Sequence, residues 1–526
     1  FFYCELIAAA HLVRAVNGML LARLNIGRAP DGRLNILRAM CRRLSDDLPR
    51  KTAVAMSGGV DSSVAAALLV ERCLRDNVRP ADSVVGLHMS NWDVDEESEE
   101  CDGSQARDWN DVRDTCAALG IKCRRVSFVK EYWNEVFLPF VEGFSSEGGA
   151  STPNPDVGCN ARIKFGVMRR YAMETLGADA VATGHYARIW NRRGGGGDDD
   201  MPESVREGLR ADADGGLLED VGLGGHWIRQ WGRLDHAKTG GNLYLPILLA
   251  GKDAMKDQSY FLSGVSGSSF HNVSFPLGCL EKESAADGVH SVRDIAASAR
   301  LPAASKRDSM GICFIGRRKF SDFLSQYVEP PPPGNFVCID TGRVVGLHGG
   351  KAAFFTVGQK AKIGGASAKW FVAGGAAALA ADGGRTVFVC KDTHHSSLYA
   401  DELSVRRDAF NWIGGAPPPP LVGVGGRILA LCRIRHQQPL ARCEVRICDI
   451  TDRLLVRFYD APMRGVCAGQ VAALYVAGGE VCLGGGPILS PGLSYFDRGL
   501  SLPSYIHPAG LNDRSVNRRR ERNNSK

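Results

Sequence analysis

Long hydrophobic runs are missing. No apolar stretch reaches the ~20 residues needed to span a bilayer, and Leu245–Ala250 falls far short, so no membrane partner is expected. Cysteines at metal spacing are missing too. The chain has 16 Cys but no C-x-x-C pair, which argues against structural zinc, and no grouping suits an iron–sulfur cluster. Cysteines spread through 526 residues do not suggest a disulfide framework. Most are expected to be reduced, buried and inert. There is no internal repeat. The G-K-[ST] ending of a Walker A loop is absent, which argues against ordinary γ-phosphate transfer. Net charge is only +6 and sits at the ends. Residues 1–43 hold seven Arg against Glu5 and Asp31, and residues 505–526 hold five Arg and Lys526 against Asp513 and Glu521. The body between is slightly acidic, so nucleic acid would have to meet a local basic stripe.

What is present is the composition of a soluble globular chain, long enough for two to four domains on a prior of about 100–200 residues each. The sequence opens on Phe1. Residues 1–50 precede the first strong domain signal. The Arg-rich, acid-poor text of residues 1–43, with Leu, Ile, Val and Ala between the arginines, has the composition of an organelle-targeting leader. A basic amphipathic extension of the first domain is the alternative.

Strand and helix signals then alternate. Thr52–Met56 reads as a buried strand, Val64–Leu74 as a helix, Val84–Met89 as a strand, and 108–119 as a helix. Cys123–Val129 is a third strand, Phe165–Leu176 a helix, and Ala180–Thr183 a fourth strand. This alternation predicts an α/β domain with a parallel sheet and helices on both faces, whose ligands bind at the carboxyl ends of the strands. Residues 191–245, with Gly194–Gly197 and Asp198–Asp200, read as a disordered or loosely packed insertion. From Phe270 to Tyr327 the text looks helical, and Pro330–Pro333 is a stiff linker. Beyond it, runs such as Thr386–Cys390, Arg442–Cys448 and Leu454–Tyr459 predict a small all-β domain, with loops or insertions at Pro417–Pro420 and Ala373–Gly384.

Ser57-Gly58-Gly59-Val60-Asp61-Ser62 lies between the first strand and the first helix. Its glycines let backbone amides approach phosphate oxygens, and the helix N-terminus adds positive potential. Ser57, Ser62 and Ser63 supply hydroxyls, and Asp61 could hold magnesium or orient the loop. Two cysteines also stand out. Cys159 follows a loop stiffened by two prolines, Thr152-Pro-Asn-Pro-Asp-Val-Gly-Cys159, with Asp156 three residues before it and Lys164 downstream, a setting that could lower the thiol's pKa. Cys313 lies in Gly311-Ile-Cys-Phe-Ile-Gly316. Each, read alone, is more often a structural cysteine.

The string S-G-G-V-D-S-S resembles the signature of the PP-loop ATP pyrophosphatases, which cleave ATP between the α- and β-phosphates. Further strings follow in one order: Thr152–Asn160, Ile163-Lys-Phe165, Ala182-Thr-Gly-His-Tyr186, Lys256-Asp-Gln-Ser-Tyr-Phe-Leu262, Gly311–Gly316, Phe355-Thr-Val-Gly-Gln359, Gly469-Gln470 and Val481-Cys-Leu-Gly-Gly-Gly486. Together they resemble the tRNA-specific 2-thiouridylases, bacterial and mitochondrial, from about Thr52 to Leu489. The resemblance implies a PP-loop ATP-binding catalytic domain over 51–268, of the adenine nucleotide alpha hydrolase type, carrying the 191–245 insertion. It implies a small, mainly helical, tRNA-binding domain over 269–334 with the second cysteine. A C-terminal β-barrel-like domain over 335–490 and a basic tail over 491–526 complete the division.

The same resemblance implies ATP-dependent 2-thiolation of a wobble uridine, with tRNA, a persulfide donor and a reductant as partners. Mitochondrion is the expected location, with plastid as the alternative. Magnesium is expected on the nucleotide, and no structural metal. Cys313 would carry a persulfide, Cys159 would resolve it and end in a disulfide with Cys313, and Asp156 would be the general acid/base. ATP contacts would be Ala55, Met56, Ser57, Gly58, Gly59, Val60, Asp61, Ser62, Met89 and Gly184. Contacts to tRNA would be Asn154, Pro155, Asp156, His185, Lys256, Asp257, Gln258, Arg435, His436 and Gln470. The chain departs from the family at 435–438, where R-Y-R-Q becomes Arg435-His436-Gln437-Gln438, weakening stacking and removing a charge. Two other readings stand beside this one: a PP-loop ligase or amidotransferase, which leaves both cysteines unexplained, and a non-catalytic RNA-binding protein, which leaves the intact loop unexplained.

Overall fold

The computed structural model describes residues 51–92, 104–145, 152–192, 201–214, 226–233, 244–283, 291–308, 318–329, 332–350, 352–365, 368–374 and 385–506. The leader read over 1–50, the end of the basic tail and Cys313 lie outside these residues.

The first domain is built on a parallel sheet. Its strands are β1 (Thr52–Ala55), β2 (Val84–Ser90), β3 (Lys122–Ser127), β4 (Ala180–Ala182) and β7 (Val273–Ser274), in the order β3-β2-β1-β4-β7. All four pairings are parallel. The order reverses around β1, which opens a crevice at its carboxyl end. Helix α1 (Val60–Arg75) follows β1 and is buried almost all round, as its Val, Ala and Leu content requires. It packs against α2 (Ser104–Leu119) and α5 (Val292–Ser298). The other face of the sheet is covered by α3, which starts as an α-helix over Pro155–Gly158, widens to a π-helix over Cys159–Met168 and closes as an α-helix over Arg169–Glu174.

The region read as helical, Phe270–Tyr327, has only short helices among its described residues, α5 and α6 (Phe320–Leu324), together with strand β7. Ser291 and Asp294 form a reciprocal capping box at the start of α5. Both helices pack on the first domain rather than on each other, α5 beside α1 and α6 in the cluster that holds Cys159.

The expected all-β stretch 335–490 contains two separate sheets. A five-stranded one runs Lys360–Ala361, Trp370–Val372, Thr386–Cys390, Asn335–Cys338, Val344–Leu347. A nine-stranded one is built mainly from 402–490 and also takes in β5 (Ala187–Trp190) and β6 (Ile247–Ala250). These two strands pair antiparallel with each other, and β6 joins Val481–Ser490. The flanks of the insertion are therefore sheet strands.

The insertion itself corrects the loose-packing expectation. Met201, Val205, Ile228 and Trp231 are buried in the core of the nine-stranded sheet. Helix α4 (Glu203–Asp214) turns Val205 and Leu209 inward, and Asp212 accepts from the Gly478 amide at 3.0 Å. Apolar residues at helical spacing hold this segment against the barrel in spite of the Gly- and Asp-rich run before it. Residues 491–506, read as the start of the tail, also pack, with Ile506 buried beside Leu398 and Tyr399. No helix among the described residues is long and apolar enough to cross a membrane.

Candidate active site

The phosphate loop lies at the carboxyl end of β1. Met56 follows the strand, its amide donating to Leu87 O at 2.9 Å and its carbonyl meeting His88 Nδ1 at 2.8 Å. The loop is closed by its own hydroxyls. The Ser57 amide donates to Ser62 Oγ at 3.2 Å, the Gly59 amide to Ser57 Oγ at 3.3 Å, and Ser63 Oγ to Gly59 O at 2.8 Å. Gly58 has φ +79°, and a Cβ there would stand 2.6 Å from the Asp108 carbonyl oxygen. No side chain caps the start of α1, so its first amides and the helix dipole face the crevice where an anion would lie. Gly184, beyond β4, passes so close that a Cβ would be 2.8 Å from the Asp61 and Ser62 backbone. Loop and strand end are thus a fitted pair, as expected of Ser57–Ser62 and Gly184 if they share one nucleotide. Ala55 and Met89 are partly buried at the ends of β1 and β2.

Asp61 is held by Tyr186, the last residue of the Ala182–Tyr186 string, and by Lys282, which no motif announced. Tyr186 donates to Asp61 Oδ1 at 2.7 Å, and Lys282 Nζ reaches the same oxygen at 2.6 Å. Lys282 is 1 % exposed. It also meets Asp308 at 3.1 Å, and Asp308 takes Lys256 at 2.7 Å and Arg293 at 3.0 Å. Burial works against the Asp308 carboxylate, but the Lys256 and Lys282 ammoniums overcome it and bring its pKa down to about 2. On the other flank of the loop Lys306 donates to Gly58 O at 3.2 Å, Asp108 at 2.6 Å and Asp111 at 2.7 Å. Among the described residues no group of three metal-ligating side chains occurs. Asp61 is the one carboxylate on the loop, and one carboxylate plus phosphate oxygens fits magnesium that arrives on a nucleotide.

The Cys159 loop lies on the opposite face of the sheet from α1 and packs against the ends of β1 and β2. Asn154 caps α3, its side chain accepting from the Asp156 amide at 3.0 Å. The Thr152 amide donates to Ala468 O at 2.8 Å, tying the loop to the C-terminal barrel. Cys159 is 6 % exposed and belongs to the apolar cluster containing Ala53, Leu87 and Phe323, with Ala55 and Met89 packed against it. The first thiol and the strand ends beside the phosphate loop therefore share one wall. Burial pushes the Asp156 carboxyl up from its ordinary value, with Lys164 and His436 pulling the other way. A carboxyl set this way can hold a proton nearer neutrality, as acid/base work needs.

The residues expected to meet tRNA divide. His436 lies within electrostatic reach of Asp156, its ring 4.5 Å from Phe261 and its Nε2 donating to the Asp257 carbonyl oxygen at 2.6 Å. Burial lowers its pKa, with the Asp257 backbone contact and charge pulling the other way. Arg435 Nη2 donates to Gly465 O at 2.7 Å, and buried Gln470 accepts from the Cys467 amide at 3.3 Å. Three others serve the fold in this state. Asp257 is buried, accepting from the Gly251 and Ser259 amides and from Arg433. Gln258 accepts from the Tyr186 amide at 3.0 Å. The ring of His185 is buried against Phe165 and Phe275 and bonded to Thr183 Oγ1 at 2.7 Å; burial, then Lys164, drives its pKa well below the usual imidazole value. Lys256 keeps an exposed flank beside Asp308.

Three known domain families match the chain in succession. Residues 50–205 and 219–317 match the tRNA methyl transferase HUP domain, 321–379 the tRNA methyl transferase PRC-barrel domain, and 402–488 the aminomethyltransferase beta-barrel domain. The mitochondrial tRNA-specific 2-thiouridylase 1 of Danio rerio is 39 % identical over 85 % of this chain and 93 % of its own length. The chain belongs to the tRNA-specific 2-thiouridylase family. The human mitochondrial 2-thiouridylase 1 is 36 % identical over 85 % of this chain and 92 % of its own, and the bacterial 2-thiouridylase MnmA of Protochlamydia amoebophila is 36 % identical over 88 % and 99 %. As a 2-thiouridylase the chain carries the family's three parts, parallel-sheet HUP domain, PRC barrel and C-terminal barrel. The two β matches fall on the two sheets seen between 335 and 490.

Proposed function

We propose that the chain is an ATP-dependent tRNA-uridine 2-sulfurtransferase that thiolates the wobble uridine, working in the mitochondrion with a plastid as the alternative setting. The observation that supports this most is the packing of Cys159 in one cluster with the strand ends that flank the phosphate loop. A loop built for a nucleotide and a thiol packed against the strand ends that flank it suit a reaction that adenylates an oxygen and then replaces it with sulfur.

The uracil 2-oxygen attacks the α-phosphate of ATP, and diphosphate leaves. Magnesium carried on the nucleotide supplies charge neutralisation there, with Asp61 as the carboxylate on the loop. The loop amides and the start of α1 orient the phosphates. The terminal sulfur of a Cys313 persulfide then attacks C2, and AMP leaves with the 2-oxygen. The Cys159 thiolate attacks the Cys313 sulfur, so that uridine departs with its C2=S group and Cys159 and Cys313 become a disulfide. A dithiol reductant returns both thiols, and an upstream persulfide donor reloads Cys313. Asp156 manages the proton of the uracil ring, and Asn154, Pro155 and His436 line the place of an everted base.

Purified protein incubated with ATP, magnesium, a persulfide donor and unmodified tRNA is expected to form 2-thiouridine, read by mass spectrometry. Cys159→Ser and Cys313→Ser should each abolish it. Thiolation that survives both changes rejects the assigned roles, and AMP release without thiolation selects the ligase reading.

A further inference from the structure

Residues 306–308 touch the phosphate loop on both of its flanks. Lys306 binds the carbonyl of Gly58 at the loop's start, 3.2 Å away, and is itself held by Asp108 and Asp111. Asp308 reaches the loop's end through Lys282, which bridges Asp308 at 3.1 Å and Asp61 at 2.6 Å. In the sequence Cys313 follows Asp308 by five residues. We propose that Lys282 and Asp308 are positioning residues, an ionic bridge through the buried Lys282 that sets residues 306–308 against the nucleotide loop so that adenylation and sulfur transfer stay coupled; this rests on the sulfurtransferase reading above.

The physics favours a bridge over a simple stabilising pair. Burying an ammonium is expensive unless carboxylates surround it, and such pairs contribute little net stability compared with apolar packing. What they contribute is a fixed arrangement. Lys282 is also fastened by its own backbone, its amide donating to Asp253 Oδ2 at 3.0 Å, so it has little freedom to choose other partners. An apolar side chain there would leave Asp61 and Asp308 with no cation bridging them. Asp308 collects two more cations, Lys256 and Arg293. Neutralising Asp308 therefore releases three cations but leaves the Lys282–Asp61 contact intact, so the loop keeps its own geometry while its link to residues 306–308 weakens.

This separation gives the test. Asp308→Asn keeps the side chain's size, and Asp308 is half-exposed, so the variant is expected to fold. Its KM for ATP should stay within about twofold of wild type. Adenylation should continue, but sulfur should arrive late, so adenylated tRNA is lost to water. The ratio of AMP released to 2-thiouridine formed should rise at least several-fold. Lys282→Met should instead raise the KM for ATP as well, since Asp61 loses its cation. A melting temperature measured on both variants separates misfolding from uncoupling, because unfolding lowers AMP and 2-thiouridine together and leaves their ratio unchanged. An unchanged ratio in a folded Asp308→Asn protein overturns the proposal. Failure of the wild type to form 2-thiouridine overturns the functional reading instead.

Discussion

Tyr186 and Asp61 are 125 residues apart in sequence and 2.7 Å apart in space, the phenol donating to the carboxylate. This contact fastens the segment after β4 to the phosphate loop. Burial and the neighbouring Asp61 charge both raise the Tyr186 pKa, so the phenol remains a donor at any pH the enzyme meets. Hydrogen bonds to a charged group contribute about 1.5–3 kcal/mol. Tyr186→Phe should therefore lose roughly 1.5 kcal/mol in urea unfolding and bind ATP more weakly, with Asp61 left to Lys282 alone. Unchanged ATP affinity would show that Asp61 needs no orientation from this side.

Gly184 gives a sharper change. The atoms 2.8 Å from its absent Cβ are backbone atoms of Asp61 and Ser62, which cannot rotate away. Gly184→Ala should push the loop off β4 and weaken ATP binding by roughly tenfold or more, about 1.4 kcal/mol. Gly364→Ala, where nothing lies within 4 Å, is the control and should bind as wild type does. Equal affinities for the two variants in nucleotide titrations would contradict the fitted loop.

Asp156 links pH to both stability and rate. Burial raises its folded-state pKa above the ordinary 3.8. A raised carboxyl favours folding most at pH values below the unfolded pKa, and that contribution is lost as pH rises through the folded pKa. Asparagine cannot ionise. Asp156→Asn should thus melt above wild type at pH 7, with the difference vanishing near about pH 3. Thiolation should fall by about 10²–10⁴-fold when the proton carrier is removed. A variant that melts below wild type at pH 7 would mean that the ionised carboxylate is stabilising.

The parallel-sheet domain could be read from the sequence because its signals are local. The strand Thr52–Ala55, the loop after it and the Ala- and Leu-rich α1 lie within 24 residues of one another. The loop's amides, hydroxyls and glycines are likewise adjacent in the chain. The pairing of Lys282 with Asp61 spans 221 residues, and a lone lysine between glutamates carries no periodic or motif signal. The π-helical widening at Cys159 was equally hidden, since it depends on packing rather than on residue type. Leu245–Ala250 was visible as apolar, yet its place in the C-terminal sheet is decided by its partners β5 and Val481–Ser490, far away in the chain. His185 and Asp257 sit inside matched motifs, yet their side chains are spent on internal contacts, so motif membership alone did not distinguish recognition from support.

The insertion shows the same limit and yields the last prediction. Val205 is fully buried in the barrel core, and Gly208 lies so close to the Ala477 carbonyl oxygen that any Cβ would collide with it. Helix α4 is therefore a part of the barrel wall, held by shape at Gly208 and by apolar burial at Val205. Val205→Ala removes two buried methyl groups and should cost about 2 kcal/mol. Gly208→Ala cannot be relieved by a side-chain movement, because the opposing atoms are backbone, so α4 should lift off and leave Met201 and Val205 in water. Proteolysis should then cut within 201–214 in Gly208→Ala at concentrations that spare wild type. An insertion equally resistant in both proteins would show that α4 is held from elsewhere.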